Sequence, residues 1–122
     1  MSFSNNMENT TLQDIVARYP TMYLALSSTD PGEDGAGITE PVIGGYVRQL
    51  VGPMTVTGSV ATNNNPIIFP KATEDQGTVS YVALFTAESG GTILGSQEIA
   101  PVAIEVNVKI VVPSGTSILT MD

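Results

Sequence analysis

An all-β fold is what this sequence predicts: an antiparallel β-sandwich or small barrel of seven to eight strands behind one N-terminal helix. Three features predict it. Helical periodicity is confined to residues 5–18. After Pro20, short β-prone segments alternate with Gly, Pro and Asn turns at regular spacing. Two of those segments, YLALSSTDPG at 23–32 and YVALFTAESG at 81–90, are near copies of each other. Both open Tyr-x-Ala-Leu, pass through a hydroxylated stretch, reach an acidic residue and end in Gly. Two copies are too few for a stacked repeat, so the echo reads as a pair of central strands. Ala25 and Ala83 would then leave room for larger neighbours in the facing layer.

In NNMENTTLQDIVAR, residues 5–18, Met7, Leu12, Ile15 and Val16 fall near one face, with Tyr19 just beyond. Asn5 or Asn6 suits the N-cap, Glu8 the positive end and Arg18 the negative end of the helix dipole. Pro20 closes it. The expected role is packing on the edge or end of a sheet; the alternative is an arm laid on a neighbouring subunit.

The expected strands follow in order: 22–28, 44–52, 54–62, 65–70, 78–87, 91–100, 103–112 and 117–121. Gly58 inside 54–62 reads as a bulge or kink. The prolines flanking 65–70 make it an edge or corner strand. Segment 91–100 can pair back on 78–87 across a Glu-Ser-Gly-Gly hairpin loop. In 103–112, Ile104, Val106, Val108 and Ile110 alternate with Glu105, Asn107 and Lys109, so the aliphatics are expected on one face. The chain of 122 residues reads as one domain spanning 1–122.

Composition excludes several kinds of chemistry. There is no Cys, His or Trp, which removes disulfide scaffolds, Cys/His zinc sites and a histidine general base. Only 13% of residues are charged, yet the net charge is −8, with four cations against twelve acids. Such a balance disfavours a nucleic-acid partner, whose phosphates need Lys and Arg, and likewise an acidic membrane surface. No segment has the roughly 20 apolar residues of a membrane span. The start, MSFSNNMENTT, has neither the basic region nor the apolar run of a signal peptide. Synthesis in the cytoplasm without membrane insertion is expected.

Candidate sites are few. Asp30, Asp34 and Gly35 match positions 1, 5 and 6 of a calcium loop, but Gly32 and Pro41 stand where further ligands are required, so a solvated loop is expected. Glu74 and Asp75 are adjacent in a turn, without the separation that paired carboxylates use on a sugar. No phosphate loop or nucleophile elbow occurs. The expectation is therefore no catalytic residue, no cofactor and no metal. Tyr46 and Arg48, two apart on an expected strand, share a face. They are either packed within the fold or anchors between subunits, where Tyr and Arg are enriched. Met7 and Leu12 join them as interface candidates if the helix serves as an arm.

Several stretches, in fixed order, resemble a known family: SNNMENTTLQDIV, YLALSSTDPG, GGYVRQLV, ATNNNPIIFPKAT, GTVSYVALFTAESGGTILG and PSGTSILTMD. Together they are similar to small bacteriophage virion proteins usually labelled tail-fibre proteins. Two departures stand out. Gln76 precedes Gly77 where that family commonly has an aromatic, and Thr10 and Thr11 replace Leu in the helix. The resemblance implies a non-enzymatic structural part of the virion, made in the host cytoplasm. As a tail-fibre or baseplate-associated component it would act by assembly and contact with the host surface. The alternative is a capsid decoration protein bracing the major capsid lattice. Implied partners are further copies of itself, with a trimer favoured, and tail, baseplate or major capsid proteins.

Overall fold

The computed structural model describes residues 5–19 and 21–120, with side chains from 12 to 19 and 21 to 119. Helix α1 (Asn5–Arg18) precedes nine strands: β1 (Tyr23–Ser27), β2 (Gln49–Leu50), β3 (Met54–Thr57), β4 (Val60–Asn63), β5 (Ile67–Ile68), β6 (Gly77–Phe85), β7 (Ile93–Ile104), β8 (Val111–Val112) and β9 (Ser117–Thr120). They form three antiparallel sheets, ordered β2-β1-β6-β7, β3-β4-β9 and β5-β8. The fold is mainly β and sandwich-like, and no sheet closes into a barrel.

The two Tyr-x-Ala-Leu segments are the central pair. Strand β1 lies antiparallel on β6 with Leu24 opposite Leu84, Ala25 opposite Ala83 and Leu26 opposite Val82. Because side chains alternate across a strand, this register sorts the pair into two layers. Leu24, Leu26 and Leu84 enter the main core with Met22, Val51, Ile67, Phe69 and Ile104, against which Met54, Ile118 and Leu119 of the second sheet pack. Ala25 and Ala83 face the other way, into a smaller cluster with Phe85, covered by Ile38 and Ile93. The alanines thus make room for larger side chains, as the sequence suggested. Leu12 of α1 is 1% exposed and the helix packs on β3 and β4 of its own chain.

Two expected strands are broken. The 54–62 segment is a hairpin: Thr57 pairs with Val60 across Gly58-Ser59. Gly58 has φ +60° and Ser59 is not in the positive-φ region, the pattern of a two-residue II′ turn with Gly first. The residue read as a bulge is the corner itself. The 103–112 segment is interrupted at Asn107, whose φ is +71°, a left-handed conformation that Asn tolerates. A turn closes there, with Val108 N–H donating to the Glu105 carbonyl at 3.0 Å. Asn107 N–H donates to the Ala72 carbonyl and Ala72 N–H to that of Val108. Ile104 is consequently 2% exposed and Val106 54%, so the aliphatics do not share a face. The 44–52 segment is strand only at 49–50, because Gly44, Gly45 and Gly52 all take positive φ. Segment 65–70 pairs only at Ile67 and Ile68, as an edge.

Two buried polar side chains fix the loops. The Ser27 hydroxyl donates to the Thr29 carbonyl (2.6 Å) and accepts from the N–H of Thr29 and Thr39, folding the 28–39 loop back on β1. Asn63, 1% exposed, donates to the carbonyls of Asn65 and Pro113 and accepts from Thr116 N–H. It ties the end of β4 to the loop between β8 and β9. Each satisfies its capacity, which is the condition for burying it.

This layering separates core from tip. Leu84→Ala is expected to lower unfolding free energy by roughly 2 to 5 kcal/mol, whereas Glu88→Ala, on the exposed hairpin tip, should cost about 0.5 kcal/mol or less. Paired urea titrations check this. Equal midpoint changes would show that β6 is not a core strand.

Candidate functional site

Arg48 gathers three segments onto one guanidinium. Its Nε and Nη2 donate to the two oxygens of Glu40 at 2.9 and 3.0 Å, a bidentate pair. Its Nη1 donates to the carbonyls of Ala87 (3.0 Å) and Gly90 (2.8 Å) in the β6-β7 turn. The plane lies over the Phe85 ring, 3.8 Å from its centre. The side chain is 7% exposed and that of Glu40 23%. Only a planar fork can meet a carboxylate, two carbonyls and a ring face together.

Tyr46 joins the same carboxylate. Its hydroxyl donates to Glu40 at 2.7 Å and accepts from Leu26 N–H at 3.0 Å, while its ring stacks on Phe69 with centroids 6.1 Å apart. The short β2 pairs only with Tyr23 and Leu24, and Tyr46 supplies an acceptor where that pairing has ended. Burial chiefly, with a further contribution from Glu40, holds its hydroxyl well above the ordinary value of 10; the Leu26 N–H opposes them. Tyr46 and Arg48 precede β2 and stand on no strand, contrary to the expected 44–52 strand; they meet instead through Glu40, a residue that sequence reasoning passed over. Nothing local to Glu40 announces its role: its partner is eight residues away and brought there by the folded loop. Leu12 is buried within the chain; the Met7 side chain lies outside the described residues.

The acidic stretches make turns. Asp30 accepts from Gly32 N–H, Asp34 from Ala36 N–H and Asp75 from Gly77 N–H, all at 2.9 to 3.0 Å. Each carboxylate closes a local turn. Among the described residues no three carboxylates come together to hold a metal ion.

The fold also leaves several aliphatic side chains exposed. Val42 (93% exposed), Ile43, Val47 and Leu50 are exposed along one segment, and Ile68 and Val111 are an exposed cross-strand pair. Strand β7, twelve residues long, is the open edge of its sheet. Its register shifts twice, between Val79 and Tyr81 and between Leu84 and Phe85 of its partner, and it contains Pro101. Such irregularities blunt an edge against uncontrolled pairing, leaving the aliphatic side chains as the more accessible contacts.

Arg48→Lys is expected to destabilise by about 3 kcal/mol, nearly as much as Arg48→Ala, because an ammonium cannot reproduce the fork and Glu40 loses its partner; urea titration at neutral pH measures both. Tyr46 adds a pH dependence. A hydroxyl whose folded pKa is raised contributes stability that is complete below the unfolded value of 10 and is lost as pH rises above it. Unfolding free energy should fall steeply above about pH 10. Tyr46→Phe should cost about 1 to 3 kcal/mol at pH 7 and flatten that alkaline fall. An equally steep fall in the variant would exclude Tyr46 as its source.

No curated protein matches the chain. A family described as Podophage GP4 fiber I protein gp80 matches residues 2–120, which takes in α1, both Tyr-x-Ala-Leu strands, the Glu40–Arg48 cluster and β9. The chain therefore belongs to the podophage GP4 fiber I protein gp80 family, and is a structural protein of a bacteriophage.

Proposed function

We propose that the protein is a non-enzymatic tail-fibre or baseplate-associated component that works by binding other virion proteins and further copies of itself, with a trimer as the assembled unit, and that it contacts the host surface. The carrying observation is the exposed aliphatic segment Val42, Ile43, Val47 and Leu50 in a member of a fibre family. These side chains are exposed, while Tyr46 stacks on Phe69 against the core. Exposed apolar groups of this size favour a protein partner. The low charge content, 13%, suits contacts made by aliphatic and neutral polar groups, with few charges to desolvate.

Location in the particle tests the reading. Density for this chain in intact virions is expected on the tail; density on the capsid lattice would replace it with the decoration role. Val42→Asp combined with Leu50→Asp should leave the thermal midpoint nearly unchanged and cut incorporation into particles at least tenfold, measured by quantitative mass spectrometry of purified virions. Full incorporation of that variant would remove the aliphatic segment as the attachment surface.

A further inference from the structure

Two of the four cations in this acidic chain lie near each other in the fold. Phe69 N–H donates to the Ile110 carbonyl and Ala72 N–H to that of Val108, so Lys71 and Lys109 both fall between these two bonds on adjacent extended segments. Both are exposed, as are Ile68 (48%) and Val111 (46%) beside them, while Phe69 and Ala72 point into the core. Among the described residues the only ion pair is Glu40–Arg48, so neither lysine is matched by a carboxylate there. Like charges on neighbouring segments repel, and among the described residues nothing offsets that repulsion around the exposed aliphatic pair.

The complementary surface is elsewhere on the same chain. Asp30 and Glu33 line a cleft of about 410 Å³ with Ile93, Leu94 and Ser96, and Glu98 lies farther along β7, opposite Tyr81. The Glu98 carboxylate foremost, with Asp30 also contributing, raises the Tyr81 hydroxyl above its ordinary value. This cleft flanks the C-terminal half of β6, where Gly35 approaches Phe85 and Ile93. The lysine patch lies beyond the other end, where Gln76 N–H bonds the Ile104 carbonyl. At about 3.3 Å per residue the two surfaces are roughly 20 Å apart or more.

We propose that the patch of Ile68, Lys71, Lys109 and Val111 on one copy binds a second copy at the cleft of Asp30, Glu33 and Ile93 and at Glu98 beyond it on β7. Charge matches charge and aliphatic matches aliphatic. Because the two surfaces differ and lie apart, the contact is heterologous, the type that repeats head to tail and closes into a ring. A trimer of three identical contacts is such a ring. This inference rests on the self-association in the proposed function and assigns its surface.

Charge exchange tests it. Sedimentation of the wild-type chain at micromolar concentration should show an oligomer that weakens as salt rises from about 0.05 M to about 1 M. Lys71→Glu with Lys109→Glu should sediment as a folded monomer, and so should Glu33→Lys with Glu98→Lys. Combined in one chain, the four reversals should restore the wild-type oligomer, because every reversed patch then meets a reversed cleft around the whole ring. A wild-type oligomer that persists in either double variant, or a fourfold variant that stays monomeric while folded, overturns this surface and leaves self-association standing. A wild-type chain that is monomeric throughout overturns both.

Discussion

The position of one guanidinium governs how the loops of this protein sit on its sheet. Arg48 is nearly buried, and a buried cation is tolerated only when its N–H groups find acceptors. Four of its N–H bonds are met, by two carboxylate oxygens of Glu40 and two carbonyls of the β6-β7 turn. The Glu40 oxygens come from an earlier part of the same β1-β2 connection, and the two carbonyls from the hairpin tip. The long loop after β1, the segment leading into β2 and the hairpin tip must therefore all be in place before any one of them is satisfied. Phe85 closes the arrangement from the sheet side. The same carboxylate holds the Tyr46 hydroxyl, so a single Glu couples the loop to the β1 backbone at Leu26.

The sheet beneath this cluster owes its shape to the pairing of two similar segments. With Leu24 opposite Leu84 and Ala25 opposite Ala83, large residues line one face and small ones the other. The large face builds the main core against β3, β5 and β9. The small face leaves depth for Phe85 and, over it, Arg48. Exchange the alanines for leucines and the guanidinium would have no ring to lie on at its present height, since cores accommodate added methylenes poorly.

The surface divides into irregular backbone edges and exposed aliphatic side chains. Open edges are irregular, with bulges and Pro101 in β7, so backbone pairing is discouraged. In the proposed assembly, side chains make the contacts: the exposed aliphatics between 42 and 50, and the lysine-flanked pair on β5 and β8. Specific contacts between side chains fix orientation more tightly than an edge that admits any extended strand.

The sequence by itself determined the class of fold, the helix, the central pair and the family. Each follows from local periodicity or from motifs quoted in order, and each depends on residues close in the chain. It misplaced Gly58 and Asn107, because a period-two pattern of Val and Ile reads the same whether the strand continues or turns back on itself. The choice lay with a glycine at φ +60°, and with an asparagine whose N–H had the Ala72 carbonyl to bond. The sequence also drew Tyr46 and Arg48 together yet left open what they meet. Tertiary structure decided that, bringing Glu40 from eight residues away and the carbonyls of Ala87 and Gly90 from some forty. Acceptors of that kind are carbonyls common to every residue, so only the folded path of the chain distinguishes the two that bind the cation.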